Sequence, residues 1–444
     1  MAKGNDNTEI SLASAASIGI GGMVGAGIFA ILGLAATTTQ GAVPLAFVIG
    51  GVIALITAHC YGKLSVAFPD RGGTVAYLDR GFGSSGFTGT INVLLVLSYI
   101  VMVGFYASAF GRFGASFFDD SEFWRHLLIT AIIFGLAVVN VVGTGLVVKY
   151  GNLANSVKLL LLAGFIVIGF IGGDVDFERF APSEWVGPVT LVAGAMVIFL
   201  NYEGFEMIAN VSSDVPEEKR AKVMPRAFYG SVLIVIVLYV LISIVAVGSL
   251  SPIEIQSSGE FALAQAAETM VGRAGFTIIV VAALLATSSA INATLFSSAR
   301  ITFSLAHDRE IPKELGTLVR EQPLPALLFV CISGTLLANF VTIDVIAAMG
   351  SGGFLLTFAA VNIASIKLST TIGVNRLIPI VGTILCLTAI VVLFSQVGRL
   401  ELILFAGMVV ISTLIELIAR TQGSGFTMRY RPHLYEAKAQ APKG

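Results

Sequence analysis

Three ionisable side chains lie inside otherwise apolar stretches of this sequence. Lys158 stands in "NSVKLLLLAGF", and Glu203 and Glu206 stand in "VIFLNYEGFEMIAN". An ammonium or a carboxylate in such surroundings can exchange a proton or hold an ion of opposite charge. Charged groups within a membrane are costly, so they are functional candidates by default.

A glycine-rich segment is the second candidate for chemistry. "GIGGMVGAGIF", Gly19 to Phe29, carries five glycines within a long apolar run, although glycine is about 1 kcal/mol less favourable than alanine inside a helix. A helix broken at membrane depth exposes carbonyls at the end of its first half and N–H groups at the start of its second half. These two ends suit the amine and the carboxylate of a small zwitterion. The alternative interpretation is that the glycines allow close helix packing.

The composition indicates a membrane protein. The 444 residues are 56% hydrophobic and 12% charged, whereas soluble proteins carry about 25% charged residues. Between Ile10 and Gly62 there is no Asp, Glu, Lys or Arg, which leaves room for two spanning helices of about 20 residues each. Cys60, Cys331 and Cys386 lie in apolar runs and are interpreted as small core residues without a disulfide or metal framework. The net charge of −1 indicates no nucleic-acid partner.

Charge clusters and turn residues divide the chain into twelve predicted membrane helices. The predicted spans are 12–36, 43–66, 87–113, 127–148, 153–173, 189–211, 227–248, 275–305, 326–342, 344–367, 378–396 and 400–419. An eleven-helix alternative stays open, because the ninth and tenth spans nearly meet at 341–345. The prediction is one transmembrane domain over residues 1–420, followed by a tail over 421–444.

The basic residues predict the orientation. With the N-terminus on the cytoplasmic side, twenty of the 26 Lys and Arg residues fall on cytoplasmic segments and five on outer loops. Cytoplasmic loops of membrane proteins are enriched in these residues. The sequence therefore predicts a multi-pass protein of the plasma membrane with both termini in the cytoplasm. The basic tail at the C-terminus favours an even number of spans.

The sixth predicted span contains a second interruption. Asn201, Glu203 and Gly204 interrupt the sixth span near its middle, and Gly204 follows Gly25 by 179 residues. The first five spans, 12–173, and the next five, 189–367, are offset by about the same amount. Paired broken helices in two halves are typical of inverted-repeat transporters. The sequence therefore predicts an all-α integral membrane fold with a 5+5 inverted repeat, broken helices 1 and 6, and two further helices over 378–419.

Four motifs in order resemble the amino acid–polyamine–organocation (APC) superfamily. They are "GGMVGAGIF" (Gly21–Phe29), "FPDRGGTVAY" (Phe68–Tyr77), "NYEGFE" (Asn201–Glu206) with the loop beyond it, and "SSAINATLFSSARITFSLAHDREIP" (Ser288–Pro312). The resemblance covers about residues 9–420. It implies the LeuT-like amino acid transporter fold, alternating access, and a substrate bound between helices 1 and 6.

The resemblance also implies which residues bind the substrate. The implied groups are the N–H groups of Gly25, Ala26 and Gly27 for the carboxylate, and the carbonyls of Met23, Leu200, Asn201 and Glu203 for the amine. Many members carry Ser or Thr at the position of Ala26, so one hydroxyl is missing here. Tyr202 lies in the second interruption and joins this set. Helical spacing adds Tyr99, Met102, Val103, Tyr106 and Ile291 as candidates for the side-chain pocket.

Lys158 is the predicted coupling residue. Proton-coupled members of the superfamily carry a lysine in helix 5 where sodium-coupled relatives bind an ion. By this resemblance its ammonium holds the carbonyl of Gly21, and Ser288 or Ser289 completes the pocket. Loss of the proton then releases the inner half of helix 1. The alternative is a snorkelling or merely ion-paired lysine.

Glu203 departs from the common pattern of the superfamily, where a small or apolar residue is usual. It is interpreted as a partner for a substrate amine, as a second proton carrier, or as a cap for the second half of helix 6. Glu206 is interpreted as a structural hydrogen-bonding residue, and His59 and Asn140 as packing residues.

The favoured function is a secondary active amino acid transporter with protons as the coupling ion, and not an enzyme. The alternative within transport is an exchanger of amines, polyamines or another small organic solute. No catalytic motif, metal cluster or phosphate-binding loop is visible, so no cofactor is expected. A channel, a nucleotide-driven pump and a non-transporting sensor are less favoured. Either a monomer or a homo-oligomer fits the sequence.

Overall fold

The computed structural model describes residues 10–70, 72–142, 144–173, 175–319 and 322–422. Several residues used to predict the orientation lie outside this part: Lys3, Arg71, Arg320 and the tail beyond residue 422. Within the described residues, β pairing is limited to two isolated bridges, Gln40 with Trp185 and Val319 with Gln322. The predicted all-α class is therefore confirmed.

The α-helices, in chain order, are α1 (Leu12–Met23), α2 (Gly27–Ala30), α3 (Leu32–Thr39), α4 (Val43–Ala67), α5 (Thr74–Phe82), α6 (Gly86–Ala115), α7 (Glu122–Val142), α8 (Thr144–Gly172), α9 (Pro188–Ile198), α10 (Glu217–Ser249), α11 (Pro252–Ser258), α12 (Ala262–Val271), α13 (Arg273–His307), α14 (Leu324–Phe340), α15 (Ile343–Lys367), α16 (Ser369–Ile372), α17 (Leu377–Gln396) and α18 (Arg399–Gln422). Short 3-10 helices cover Phe177–Phe180, Pro182–Glu184, Phe199–Tyr202, Phe205–Asp214, Gly259–Phe261 and Lys313–Gly316.

Eleven helical segments among the described residues are long and apolar enough to cross a membrane. Two of them, Leu12–Ala30 and Pro188–Asp214, contain the interruptions. The predicted ninth span corresponds to α14, which is apolar but only 17 residues long. α14 ends at Phe340, and α15 begins at Ile343. The boundary between the predicted ninth and tenth spans, which the sequence marked least clearly, therefore lies between these two residues.

The predicted boundary between the fourth and fifth spans was misplaced. The sequence suggested 127–148 and 153–173, whereas α7 is Glu122–Val142 and α8 is Thr144–Gly172. Lys149 is part of α8 and does not mark a loop, because lysine is a good helix former. As a result, Lys158 lies halfway along a 29-residue helix and not near its start.

Burial differs widely among the helices that carry candidate residues, and in α8, which carries Lys158, only 28% of the apolar window is buried. In α6 and in the segment Pro188–Asp214, 89% of the apolar window is buried, and in α15 the share is 83%. The share is only 28% in α7 and α17 and 22% in α18, which therefore turn most of their apolar surface outward. All three cysteines are buried and free, as expected of core residues.

The two interruptions contact each other through glycine backbone. Gly204 has a φ of +115°, and an ideal Cβ built on it would lie 2.5 Å from the carbonyl carbon of Gly22. A Cβ on Gly22 would lie 3.0 Å from both Cα and O of Gly204. Since the obstacle in each case is main chain, which cannot rotate away, only glycine fits at both positions.

Gly204→Ala is expected to destabilise the protein strongly. It combines a left-handed backbone conformation, which costs a non-glycine residue about 1–3 kcal/mol, with a clash against the main chain of Gly22. Thermal unfolding of the detergent-solubilised protein measures the effect, and we expect a clearly lower melting temperature. Gly164→Ala is the matched control. Gly164 lies within α8, and nothing is within 4 Å of its Cβ position, so alanine there should leave the melting temperature unchanged or raise it. Equal melting temperatures for Gly204→Ala and the wild type would contradict the close main-chain contact between Gly22 and Gly204.

Candidate functional site

The first interruption covers Val24–Ala26. The N–H of Val24 still donates to Ile20 O (2.9 Å), but that of Gly25 turns back to Met23 O (2.8 Å). Helical bonding resumes where Ala30 N donates to Ala26 O (2.9 Å). The N–H groups at the start of a helix have no acceptor within it. The N–H groups of Ala26 and Gly27 therefore form a short positive end at the centre of the structure, as the glycine pattern predicts.

The second interruption is a reversal at Glu203 and Gly204. Glu203 is extended, with φ −65° and ψ 142°, and Gly204 then starts the 3-10 helix Phe205–Asp214. The carboxylate of Glu206 accepts a hydrogen bond from the N–H of Gly204 at 2.8 Å. Glu206, and not Glu203, therefore caps the second half of this helix, in agreement with its interpretation as a structural residue.

Two tyrosines of α6 hold the two glutamates. Tyr106 Oη donates to Glu203 Oε2 at 3.2 Å, and Tyr99 Oη donates to Glu206 Oε1 at 3.0 Å. The tyrosines are seven residues apart, which places them on one face of the helix. The ring of Tyr106 also packs against Gly25, whose Cβ position is 3.0 Å from the ring. Tyr106 therefore touches both interruptions.

Tyr239 of α10 links the two interruptions through a single hydroxyl. Its Oη lies 2.6 Å from Met23 O and 3.2 Å from Asn201 O. Both carbonyls belong to the set implied for a substrate amine, and Met23 O accepts from Gly25 N as well. Leu200 O accepts from the N–H of Glu203 at 3.2 Å. These carbonyls are thus already hydrogen-bonded in this conformation.

Two polar side chains of the second interruption keep free hydrogen-bonding capacity. Asn201 is 2% exposed and Glu203 is 1% exposed. Among the described residues, neither the amide oxygen and nitrogen of Asn201 nor Oε1 of Glu203 has a partner. Asn201 Oδ1 lies 1.6 Å from the Cβ position of Gly27, so this amide stands directly beside the positive end of α2. Buried polar groups without a partner usually have a function or bind water.

Lys158 reaches the first interruption from the opposite side. Its side chain is fully buried, and Nζ donates to Gly21 O at 3.0 Å. No carboxylate of the described residues forms an ion pair with it. Burial to this depth excludes the snorkelling alternative, because a snorkelling lysine keeps its ammonium in water. The contact is the one that the resemblance implies.

The remaining predicted site residues differ in what they contact. Ser289 is close to this lysine region, since its Oγ donates to Asn155 Oδ1 at 3.3 Å and the Asn155 amide abuts Gly21. Ser288 donates back to Leu285 O within α13. Tyr202 faces α4, where its hydroxyl donates to Phe47 O at 2.7 Å. Ala26 and Ile291 are both buried, and neither has a polar side chain.

Tyr239 and Asn155 were missed by the sequence analysis. Both lie in helices whose sequence shows no interruption, and tyrosine and asparagine within a long span are usually packing residues. The polar residues Asn152, Asn155 and Ser156 in the turns before Lys158 were the available signal for the second of them.

The arrangement offers binding and proton exchange without covalent chemistry. Bare N–H groups are suited to bind an anion, the carboxylate of Glu203 is suited to bind a cation, and the ammonium of Lys158 is a group able to exchange a proton next to the carbonyl that it holds. No group of three or more His, Cys, Asp or Glu side chains in the described ranges is placed to hold a metal ion. These are features of a site that takes up and releases a small charged solute.

Comparison with known proteins places the chain in a family. A family model described as amino acid permease matches residues 10–415. The inner membrane transport protein YbaT of Escherichia coli K12 is 30% identical over 423 residues, which cover 94% of this chain and 97% of the relative.

Two other relatives are more distant. The serine/threonine exchanger SteT of Bacillus subtilis is 28% identical over 68% of this chain and 69% of its own length. The vacuolar cationic amino acid transporter 8 of Arabidopsis thaliana is 26% identical over 78% of this chain and 60% of its own length. The chain therefore belongs to the amino acid permease family within the APC superfamily, and it is a membrane transporter and not an enzyme.

Proposed function

We propose that this protein is a secondary active transporter that carries amino acids across the plasma membrane by alternating access, in symport with protons. In this proposal α14 also crosses the membrane and is the ninth of twelve spans, and the helices form two inverted halves of five, followed by α17 and α18. Both termini then face the cytoplasm, in line with the bias of basic residues.

The hydrogen bond between Lys158 Nζ and Gly21 O carries the proposal. It joins a buried ammonium, which has no ion pair in the described part of the chain, to the last turn of α1, directly before the interruption at which the substrate is expected. The charge on Lys158 therefore bears on the position of α1. A proton that leaves Lys158 weakens this bond and frees α1 to move, which opens the site to the cytoplasm.

The substrate is expected to lie across the two interruptions. Its carboxylate meets the N–H groups of Ala26 and Gly27, in the manner of anions at helix N-termini. Its amine meets Glu203 and the carbonyls near it. The single hydroxyl proton of Tyr239 is shared between the carbonyls of Met23 and Asn201, whereas Oε1 of Glu203 has no partner among the described residues, so we expect Glu203 to be the main contact for an ammonium.

A second candidate function is the exchange of amines or other cationic solutes, and Glu203 is the observation that favours it. A buried carboxylate with one oxygen unpartnered is a strong site for a second positive charge. The two candidates differ in which part of the substrate Glu203 contacts: the amine common to all amino acids, or a cationic side chain. The names of SteT and of the Arabidopsis relative provide the probes, which are L-serine and L-lysine.

Lys158→Ala is expected to abolish uptake driven by a pH gradient. Proteoliposomes with a more acidic exterior and radiolabelled L-serine or L-lysine measure this uptake. Lys158→Arg should fail in the same way, because arginine keeps its charge and does not release its proton. Exchange of internal for external substrate at equal pH should survive in Lys158→Ala, since exchange needs no net proton transfer. Undiminished proton-driven uptake in Lys158→Ala would remove this residue from the mechanism.

Glu203→Gln distinguishes the two candidate substrates. Glutamine keeps an acceptor for Tyr106 and removes the charge. If Glu203 contacts a cationic side chain, affinity for L-lysine falls by at least about tenfold, which is about 1.4 kcal/mol, and affinity for L-serine changes little. Thermal-shift titrations with each amino acid measure the affinities, because a ligand of the folded state raises the melting temperature.

An equal loss for L-lysine and L-serine assigns Glu203 to the common amine and favours the amino acid symporter. Tyr106→Phe is the companion variant, since it removes only the hydrogen bond that orients the carboxylate. Unchanged affinity for both probes in Glu203→Gln would exclude direct contact between Glu203 and the substrate.

A further inference from the structure

Polar side chains continue from Lys158 along the interface of α7, α8 and α13. Asn155 precedes Lys158 by three residues and so shares its helix face. Its amide nitrogen lies 2.2 Å from the Cβ position of Gly21, and its Oδ1 accepts from Ser289 Oγ at 3.3 Å. The polar environment of Lys158 thus extends beyond the carbonyl that it holds.

The series goes on with an asparagine pair. Asn292 follows Ser289 by three residues on the same face of α13, and Asn140 Nδ2 donates to Asn292 Oδ1 at 3.0 Å. Asn140 and Asn292 are 7% and 1% exposed. We call Lys158, Asn155, Ser289, Asn292 and Asn140 the polar column.

The polar column leads from mid-membrane to one membrane face. Asn155 is about 4.5 Å closer than Lys158 to the start of α8, given a rise of about 1.5 Å per residue. Asn140 is two residues from Val142, where α7 ends, and α8 begins at Thr144. The column therefore ends near the turn between α7 and α8, which is cytoplasmic in the proposed orientation.

The far end of the column has an unused acceptor. Asn140 Nδ2 also donates to Leu136 O at 2.9 Å, which fixes the orientation of the amide because a carbonyl can only accept. Asn140 Oδ1 is then a buried acceptor without a partner among the described residues. If Asn140 served only to hold α7 and α13 together, its hydrogen bond to Asn292 would be enough. The unpartnered Oδ1 would then have no explanation. A water molecule is the usual partner of such a group.

We propose that the polar column is the path by which the proton of Lys158 reaches the cytoplasm, through water held by its amide and hydroxyl groups. The proposal rests on the proposed function, in which Lys158 carries the coupled proton. In the release step an N–H bond of the ammonium breaks, its electron pair stays on Nζ, and the proton passes to a water oxygen. One proton leaves the water at the α7–α8 end, and nothing is oxidised or reduced.

The test separates net proton release from substrate movement. Proteoliposomes that contain a trapped pH-sensitive dye report internal acidification during uptake of L-serine and of L-lysine, and exchange at equal pH reports substrate movement alone. For Asn140→Leu and Asn292→Leu, we expect net uptake and acidification to fall by at least about tenfold, a barrier increase of about 1.4 kcal/mol. Exchange should stay close to the wild-type rate. Asn140→Ser, which again offers a polar group to water, should restore much of the acidification.

Thr130→Val is the matched control. It removes a hydroxyl from the same helix, α7, where Thr130 bonds only to His126 O within the helix, and both rates should be unchanged. Parallel loss of uptake and exchange in the Asn140 and Asn292 variants would show that these residues only hold the helices together. Normal acidification in these variants, with its loss in Lys158→Ala, would refute the path and leave the proposed function intact. A wild-type protein that takes up either amino acid without acidification would overturn both.

Discussion

The contact between the two interrupted helices is the constraint on which the rest of the structure depends. Peptide groups without partners are costly when they face lipid, so a helix can break at membrane depth only where the break is buried in protein or lines a cavity. In this protein each break lies against the other. Gly22 and Gly204 touch main chain to main chain, and Tyr239 bonds to a carbonyl from each break. Such close approach leaves no room for side chains, and this explains the glycines in the middle of spanning segments.

The buried glutamates and the buried lysine contact different helices. Glu203 and Glu206 lie on the side of α6, each held by a tyrosine, whereas Lys158 approaches α1 from α8. Among the described residues, no direct ion pair joins the ammonium to these carboxylates. The hydrogen bond to Gly21 O connects the lysine directly to α1. In the proposed mechanism, a change of charge on Lys158 acts on the helix whose broken end is expected to meet the solute.

Much of this organisation was accessible from the sequence. The glycines of Gly19–Phe29 and the polar residues around Gly204 predicted both interruptions, since their composition contradicts a continuous apolar helix. The resemblance to the APC superfamily implied the contact between Lys158 and Gly21 O. The boundary between α7 and α8 was misplaced, because Lys149 was interpreted as a loop residue although it continues the helix. Asn140 was interpreted as a packing residue, because one amide in a span gives no indication of a partner on another helix.

The sequence by itself determined where the chain must leave regular helix and which charges are buried, since both follow from local composition in an apolar environment. Only the tertiary structure decided which distant groups meet: Tyr239 with Met23 O, Tyr99 with Glu206, and Asn140 with Asn292. The physical reason is that a hydrogen bond needs its two atoms at about 3 Å. Residues a hundred or more positions apart reach that distance through the packing of whole helices, which no local pattern encodes.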